Sequence, residues 1–394
     1  MNSPFHINNK QLYLERFPVE QVNRSLQAWD AADEYLVNYL NENNLLNNIS
    51  DKSEEDTQQI LIFNDSFGAL SLSCSDQTVY SVNDSYISHQ GLLYNQQKNQ
   101  INALDSNKIS LLSSLANLPS KIDLILYKIP KSKSLLIFQL MQIKAIMGEE
   151  TLFIASAMAK EIHSSTLKLF EKHIGTTTTS LAVKKARLVF CNQSKIGEYE
   201  NPFPTIWPLE NTQFNILNHA NVFAREQLDL GARFFLQHLP ELKSDDLVID
   251  LGCGNGVIGL SLLARQKPTV QNSIQLTFID ESYMAVASAK ANIENNLSSL
   301  AGQCQFINND CLTEITSNSA NLILCNPPFH QQQAVTDHIA WQMFKDSYRV
   351  LKKGGELRII GNRQLGYHLK LERLFSKTKL IASNKKFVII GVFK

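Results

Sequence analysis

The sequence predicts an α/β protein built from two tandem doubly wound, Rossmann-like units, the first of them degenerate. Three observations carry that expectation. Short apolar runs of strand length alternate with helical patterns through the second half of the chain. A glycine-rich turn follows the first of those runs. The first half repeats much of the same pattern at a nearly constant offset.

In the second half, Leu247-Val248-Ile249-Asp250-Leu251 reads as a buried strand that runs into Gly252-Cys253-Gly254-Asn255-Gly256 and then a helix over Val257–Arg265. Ile274–Ile279 is a second strand ending at Asp280-Glu281, and Ser282 is the N-cap of a helix to Asn296. Cys304–Ile307 is a third strand before Asn308-Asn309-Asp310. Asn321–Cys325 is a fourth, closed by Asn326-Pro327-Pro328-Phe329. A helix over about Thr336–Leu351 leads through Gly354-Gly355 to a strand at Glu356–Ile360. A helix near Tyr367–Phe375 and strands at about Lys379–Ala382 and Phe387–Val392 complete the unit.

The first half echoes this plan. Val79–Tyr86 matches Leu276–Tyr283 at an offset of 197, and Ile122–Pro130 matches Ala320–Pro328 at 198. Ile60–Leu70 stands where Asp250–Leu260 stands, without the glycine-rich turn. Asn83 replaces Asp280, and Tyr127-Lys128-Ile129-Pro130 replaces the Cys325–Pro328 tetrapeptide. A loop without glycines loses close backbone approach to a ligand, so the first copy is expected to be non-catalytic. An amphipathic helix around Leu26–Leu40 and a polar stretch at Asn41–Gln59 precede it. Gly197–Pro208, with three prolines, is the expected linker. The domains are therefore drawn at 1–197 and 198–394.

The composition fits this division. A chain of 394 residues that is 44% hydrophobic and 19% charged can form two cores, and it is neither fibrous nor disordered. No apolar run approaches the ~18 residues of a membrane span, and the first residues lack a signal-peptide pattern. The six cysteines form no C-x-x-C pair, so reduced thiols, a cytoplasmic location and no metal site are expected. The sequence does not reveal the oligomeric state, and a monomer is the working expectation. The net charge is zero, but it is segregated: −8 over residues 1–119, +7 over 120–195, −9 over 196–344 and +10 over 345–394. Two basic blocks on an otherwise acidic chain suit a polyanionic partner.

The candidate chemistry lies in the second half. Asp250-x-Gly252-x-Gly254-x-Gly256 can wrap a ligand at a helix start, with spacing unlike a dinucleotide or P-loop motif. Asp280, at the next strand end, can accept hydrogen bonds from ribose hydroxyls. In Asn326-Pro327-Pro328-Phe329, the Asn amide oxygen and the Pro carbonyl can hold an exocyclic amine by both hydrogens, with Phe329 as a flat face for a base.

That tetrapeptide resembles the catalytic motif of S-adenosylmethionine-dependent amino methyltransferases. The whole chain resembles the two-domain ribosomal RNA guanine-N2 methyltransferases, and most closely their large-subunit (23S) branch. The resemblance rests on Leu26–Leu36, Asn64–Leu70, Asn218–Phe223, Leu228–Phe235 and Asn326–Gln332. The small-subunit (16S) branch shares the layout and is the alternative. A protein or DNA methyltransferase, or a non-enzymatic RNA-binding factor, fits less well. Asn41–Gln59 and the tail after Lys385 match the family less closely.

The resemblance implies a class I methyltransferase fold and S-adenosyl-L-methionine as cofactor. Asp250, Gly252 and Gly254 would face its methionine part, Asp280 its ribose and Asp310 its adenine amine, with Asn255 a further cofactor-binding residue of the same loop. Asn326, Pro327, Pro328 and Phe329 would hold the guanine, and Phe223 is a candidate cover for the cofactor. A specific guanosine of 23S rRNA is the implied substrate. Lys128, Lys131, Lys133, Lys184, Lys185 and Arg187 of the first basic block are the expected RNA-binding residues, with Lys185 and Arg187 sharing a strand face.

Overall fold

A computed structural model of the chain describes residues 4–7, 10–19, 26–46, 57–101, 109–193, 200–328 and 334–394. The chain divides into two compact units, Met1–Pro202 and Phe203–Lys394.

The first unit opens with a small hairpin, β1 (Phe5–Ile7) and β2 (Lys10–Leu12). Its main sheet follows as β3 (Gln59–Phe63), β4 (Thr78–Asn83), β5 (Ile109–Ser113), β6 (Leu124–Lys128), β7 (Leu152–Met158), β8 (Gly175–Thr179) and β9 (Ala186–Gln193). The second unit opens with the hairpin β10 (Thr205–Pro208) and β11 (Asn215–Asn218). Its sheet comprises β12 (Leu247–Leu251), β13 (Gln275–Asp280), β14 (Cys304–Asn308), β15 (Ala320–Cys325), β16 (Leu351–Asn362), β17 (Lys377–Ser383) and β18 (Phe387–Phe393).

Both seven-stranded sheets follow one plan. Their orders are β5-β4-β3-β6-β7-β9-β8 and β14-β13-β12-β15-β16-β18-β17. In each, five neighbouring strands are paired in parallel, and a single reversed strand, β9 or β18, pairs antiparallel with the fifth of them and with the edge strand, β8 or β17. Each central strand is apolar on both faces because helices cover both. Val248 joins one core cluster and Ile249 the other, just as Ile60 and Leu61 divide between the clusters of the first unit. The chain leaves β12 toward β13 on one side and reaches β15 on the other. That topological switch places a ligand crevice at the carboxyl ends of β12 and β15.

Local detail repeats as well. Ser85 and Ser282 cap the helices Tyr86–Lys98 and Tyr283–Asn296, each accepting from the backbone N–H three residues on. Gly68 and Gly256, with φ of +89° and +75°, head the helices Ala69–Ser73 and Val257–Ala264. Asn83 accepts from Ser85 N and Asp280 from Ser282 N, both at 3.0 Å.

Several sequence expectations are corrected. Part of the proline-rich linker is the strand β10, whose Thr205 pairs with Asn218. The early helix spans Ala31–Glu42, because Asp30 caps it through Ala32 N and Asp33 N in a capping box. The helix near residue 367 ends at Leu371, and β16 begins at Leu351, before the two glycines. Lys184 and Lys185 form a tight turn with φ of +47° and +65°, and β9 begins only at Ala186. Lys185 therefore does not share a strand face with Arg187.

Candidate cofactor and substrate site

The loop after β12 is shaped by three left-handed glycines: Gly252 (φ +69°), Gly254 (+54°) and Gly256 (+75°). Gly252 N and Cys253 N both donate to the Ile279 carbonyl, at 2.8 and 3.0 Å. Gly254 N donates to Asp280 Oδ2 at 3.0 Å. A Cβ on Gly256 would lie 2.8 Å from Ala289 Cβ, whereas one on Gly254 would meet nothing within 4 Å. Packing thus dictates Gly256, and Gly254 faces open space at the carboxyl edge of the sheet.

Asp250 is buried within β12, and its Oδ2 accepts from Gly259 N at 2.8 Å. Its Oδ1 is buried and has no hydrogen-bond partner among the described residues. Burial, reinforced by the charge of Asp280, pushes the Asp250 pKa up to about 7. An orphan carboxylate oxygen in such surroundings suits a cationic ligand. Asp280, also raised by burial, accepts from Gly254 N and Ser282 N, which fixes its carboxylate at the end of β13.

Asp310 follows β14. Burial raises its pKa, opposed by side-chain hydrogen bonds from Gln342 and Cys311. Cys311 itself is held at φ +50°, a strained backbone that turns the chain directly after Asp310. Asn309 Nδ2 and Gln342 Oε1 are buried beside this carboxylate in sequence and bonding, without partners among the described residues. Sequence reasoning missed Gln342, which lies on the helix Ala334–Val350 and carries no motif of its own.

Asn326 begins where β15 ends, and Cys325 pairs with Leu251 on one side and Ile359 on the other. The motif therefore starts beside the glycine loop. Asn326 Oδ1 is buried with no partner among the described residues, Pro327 is buried and Pro328 is half-buried. Phe329 and His330 lie outside the described residues.

Asn255 is placed differently from expectation. Its Nδ2 donates to Asn218 Oδ1 at 2.9 Å and its Oδ1 accepts from Val257 N at 3.2 Å. The side chain props the loop from inside, with both ends of its amide engaged by the protein. Phe223 is 60% exposed, which excludes a core role and leaves it free to cover a ligand. His219 is partly buried; its backbone N donates to Ser288 Oγ at 3.0 Å, and burial lowers the pKa of its ring.

The first unit fills the matching position with its own atoms. By strand register, Lys128 stands where Asn326 stands, since Tyr127 pairs with Phe63 as Cys325 pairs with Leu251. Its ammonium meets Asp33 Oδ1 at 2.7 Å and Asp30 Oδ1 at 3.0 Å. Burial works against that charge, but the two carboxylates prevail and the pKa is raised. Lys128, expected on an RNA-facing surface, is thus committed to an internal ion pair. Asp65 occupies the front loop, accepting from Gly68 N, Leu70 N and Ser71 N. Lys131, Lys133, Lys184 and Lys185 are exposed and Arg187 is partly buried; Lys184 pairs with Glu34 at 2.7 Å.

Glycine loop, strand-end carboxylates and the Asn-Pro-Pro sequence together fit S-adenosylmethionine. The orphan oxygens of Asp250 and Asn326 are the acceptors that a cation and an amine would use. The fold and site define an S-adenosylmethionine-dependent methyltransferase. Residues 2–195 match the family described as the RLMG N-terminal domain, and residues 213–391 match the methyltransferase small domain. The chain is 56% identical to the ribosomal RNA large subunit methyltransferase G of Colwellia psychrerythraea, with all of both chains covered. It is 50% identical to that of Pseudoalteromonas translucida, covering 100% of this chain and 99% of the relative. The chain belongs to the ribosomal RNA large subunit methyltransferase G family. A solved structure, the T. thermophilus 16S rRNA N2 G1207 methyltransferase in complex with AdoMet and guanosine, superposes with a TM-score of 0.74. At 15% identity, over 100% of this chain and 97% of the other, that likeness concerns the fold.

Proposed function

We propose that the chain methylates the exocyclic N2 amine of a specific guanosine in 23S rRNA. The observation that carries this reading is the buried Oδ1 of Asn326, without a partner among the described residues, at the carboxyl edge of the sheet beside the glycine loop. The relatives at about half identity over their full length bear a large-subunit name, which favours 23S over 16S rRNA.

When bound, S-adenosylmethionine supplies a methyl group on a sulfonium, electrophilic at carbon. Asn326 Oδ1 and the Pro327 carbonyl accept the two N2 hydrogens and aim the nitrogen lone pair at that carbon. Phe329 supplies the stacking face. The cofactor would supply the methyl group and keep the sulfur as the leaving thioether, and the N2 proton, acidic once N2 is methylated, would pass to solvent. Positioning provides most of the acceleration, and no prior deprotonation is needed. Asp250 and Asp280 would hold the cofactor and Asp310 its adenine amine. A paired guanine must leave its stack to reach Asn326.

In this reading the first unit, with its site filled by Lys128 and Asp65, binds no cofactor. It grips RNA through Lys131, Lys133, Lys184, Lys185 and Arg187. The protein works as a cytoplasmic monomer without metal. Among the described residues no helix is long and apolar enough to cross a membrane. Transfer of labelled methyl from S-adenosylmethionine to separated 23S and 16S rRNA, followed by nucleoside analysis, tests the assignment. Label in N2-methylguanosine from 23S rRNA is expected. Label confined to 16S rRNA, or to another nucleoside, overturns it.

A further inference from the structure

The basic tail of the second unit concentrates its charge at one end of the sheet. Asn362, at the carboxyl end of β16, pairs with Phe387 at the start of β18, and Ser383 at the end of β17 pairs with Val388. The turn Asn384–Lys386 therefore lies at the same sheet end as Asn326, which follows Cys325 opposite Ile359 of β16. Two strand spacings separate β15 from β18, roughly 10 Å. The turn and the catalytic motif are within reach of one short stretch of nucleic acid strand.

The turn is rigid. Asn384 Oδ1 accepts from both Lys386 N and Phe387 N, an Asx turn. Arg363 donates its backbone N–H to the Lys386 carbonyl at 3.0 Å and its Nη1 to the Asn384 carbonyl at 3.2 Å. Lys386 Nζ sits 5.2 Å from the Phe387 ring centre, laid along it. Arg363, Lys385 and Lys386 are all exposed.

Local acids do not neutralise this cluster. Of the three acidic residues in 345–394, Asp346 accepts from Leu312 N and lies near Arg349, Glu356 pairs with Arg358 at 2.7 Å, and Glu372 is exposed just after the helix Tyr367–Leu371, with no ion pair to the cluster among the described residues. Among the described residues, no ion pair involves Arg363, Lys385 or Lys386. Lysines on the edge strand β17, such as Lys377 and Lys379, have an ordinary task in blocking strand pairing. That explanation does not extend to a turn beyond the strand.

We infer that the Asn384–Lys386 turn and Arg363 form a phosphate clamp for the RNA strand that delivers the target guanosine. The inference rests on the RNA-substrate reading above. Three exposed cations on this braced turn would hold flanking phosphates and leave the base free to enter.

The test uses the full chain carrying Lys385→Glu and Lys386→Glu together, with a 23S rRNA fragment as probe. RNA affinity should fall at least tenfold at 0.1 M salt. The slope of log K against log salt should shrink by about 1.4, the release expected for two contacts to a single strand. S-adenosylhomocysteine affinity and the methyl-transfer rate at saturating RNA should be unchanged, so that KM rises while kcat holds. Lys377→Glu with Lys379→Glu is the control and should have at most a small effect. Unchanged RNA affinity and slope in the turn variant overturn the clamp, as does an equal loss in the control pair. The reading beneath it fails separately, if the parent protein places no methyl on 23S rRNA.

Discussion

Lys128 meets Asp33 at 2.7 Å in the first unit, at the strand position that Asn326 occupies in the second. One sheet end thus holds a paired ammonium and the other an unpaired amide oxygen. The two copies share their topology and differ in whether a ligand is needed to complete them.

Lys128→Met should lower the stability of the first unit by about 3 kcal/mol, because it leaves Asp33 buried without its counter-charge. Urea denaturation followed by probes in each unit measures this. The salt dependence of RNA binding should stay that of the parent; a reduced slope would return Lys128 to the RNA surface. Lys131→Glu with Lys133→Glu, both exposed, should reduce that slope without a stability loss of this size.

Asn326→Ala should leave S-adenosylhomocysteine binding near normal and reduce methyl transfer to rRNA by about a hundredfold or more, the scale of losing one preorganised polar contact. Single-turnover kinetics with calorimetry separate the two effects. Retained turnover would remove Asn326 from its role.

Asp250 gives a pH dependence whose sign follows from its raised pKa of about 7. Between about 4 and 7 the folded state holds a proton that the unfolded chain has released. The carboxyl's contribution to stability is therefore present at low pH and lost as pH rises through that window. A cationic cofactor favours the ionised form, so its binding should release protons below pH 7 and weaken as pH falls. Calorimetry in buffers of different ionisation heat reads the proton count. Asp250→Asn should abolish most of that release, and an unchanged count would assign it elsewhere.

Gly254→Ala and Gly256→Ala should separate ligand space from packing. Each strains a left-handed backbone, costing about 1 kcal/mol. At Gly256 the new methyl also meets Ala289, so the stability loss should be the larger. At Gly254 the methyl enters open space, and cofactor affinity should drop more than stability. Equal effects on melting and on binding in both variants would refute the distinction.

Much of this was legible in the sequence. The strands around Asp250, Asp280 and Asn326, and the Ser282 cap, are local features read from apolar runs and single polar residues. The partner of Lys128 was not, because Asp30 and Asp33 reach it from nearly a hundred residues earlier. The Lys184-Lys185 turn was missed because lysine is no signal for two successive left-handed residues. The direction of the Asn255 amide was not legible either, because spacing along a loop does not say which way an amide points. Its partner Asn218 comes from the separate strand β11.

The plugged front copy sets terms for any attempt to redesign it. Grafting a glycine-rich loop onto Asn64–Gly68 would remove Asp65 and leave Leu70 N and Ser71 N without their acceptor, while Lys128 and its aspartates stayed in place. Removing Lys128 alone would expose two carboxylates with nothing to hold. A functional graft has to change at least the lysine, its aspartates and the loop acid together. The single replacements leading there each pass through a less stable protein, so the way back to a second catalytic centre runs uphill from the present chain.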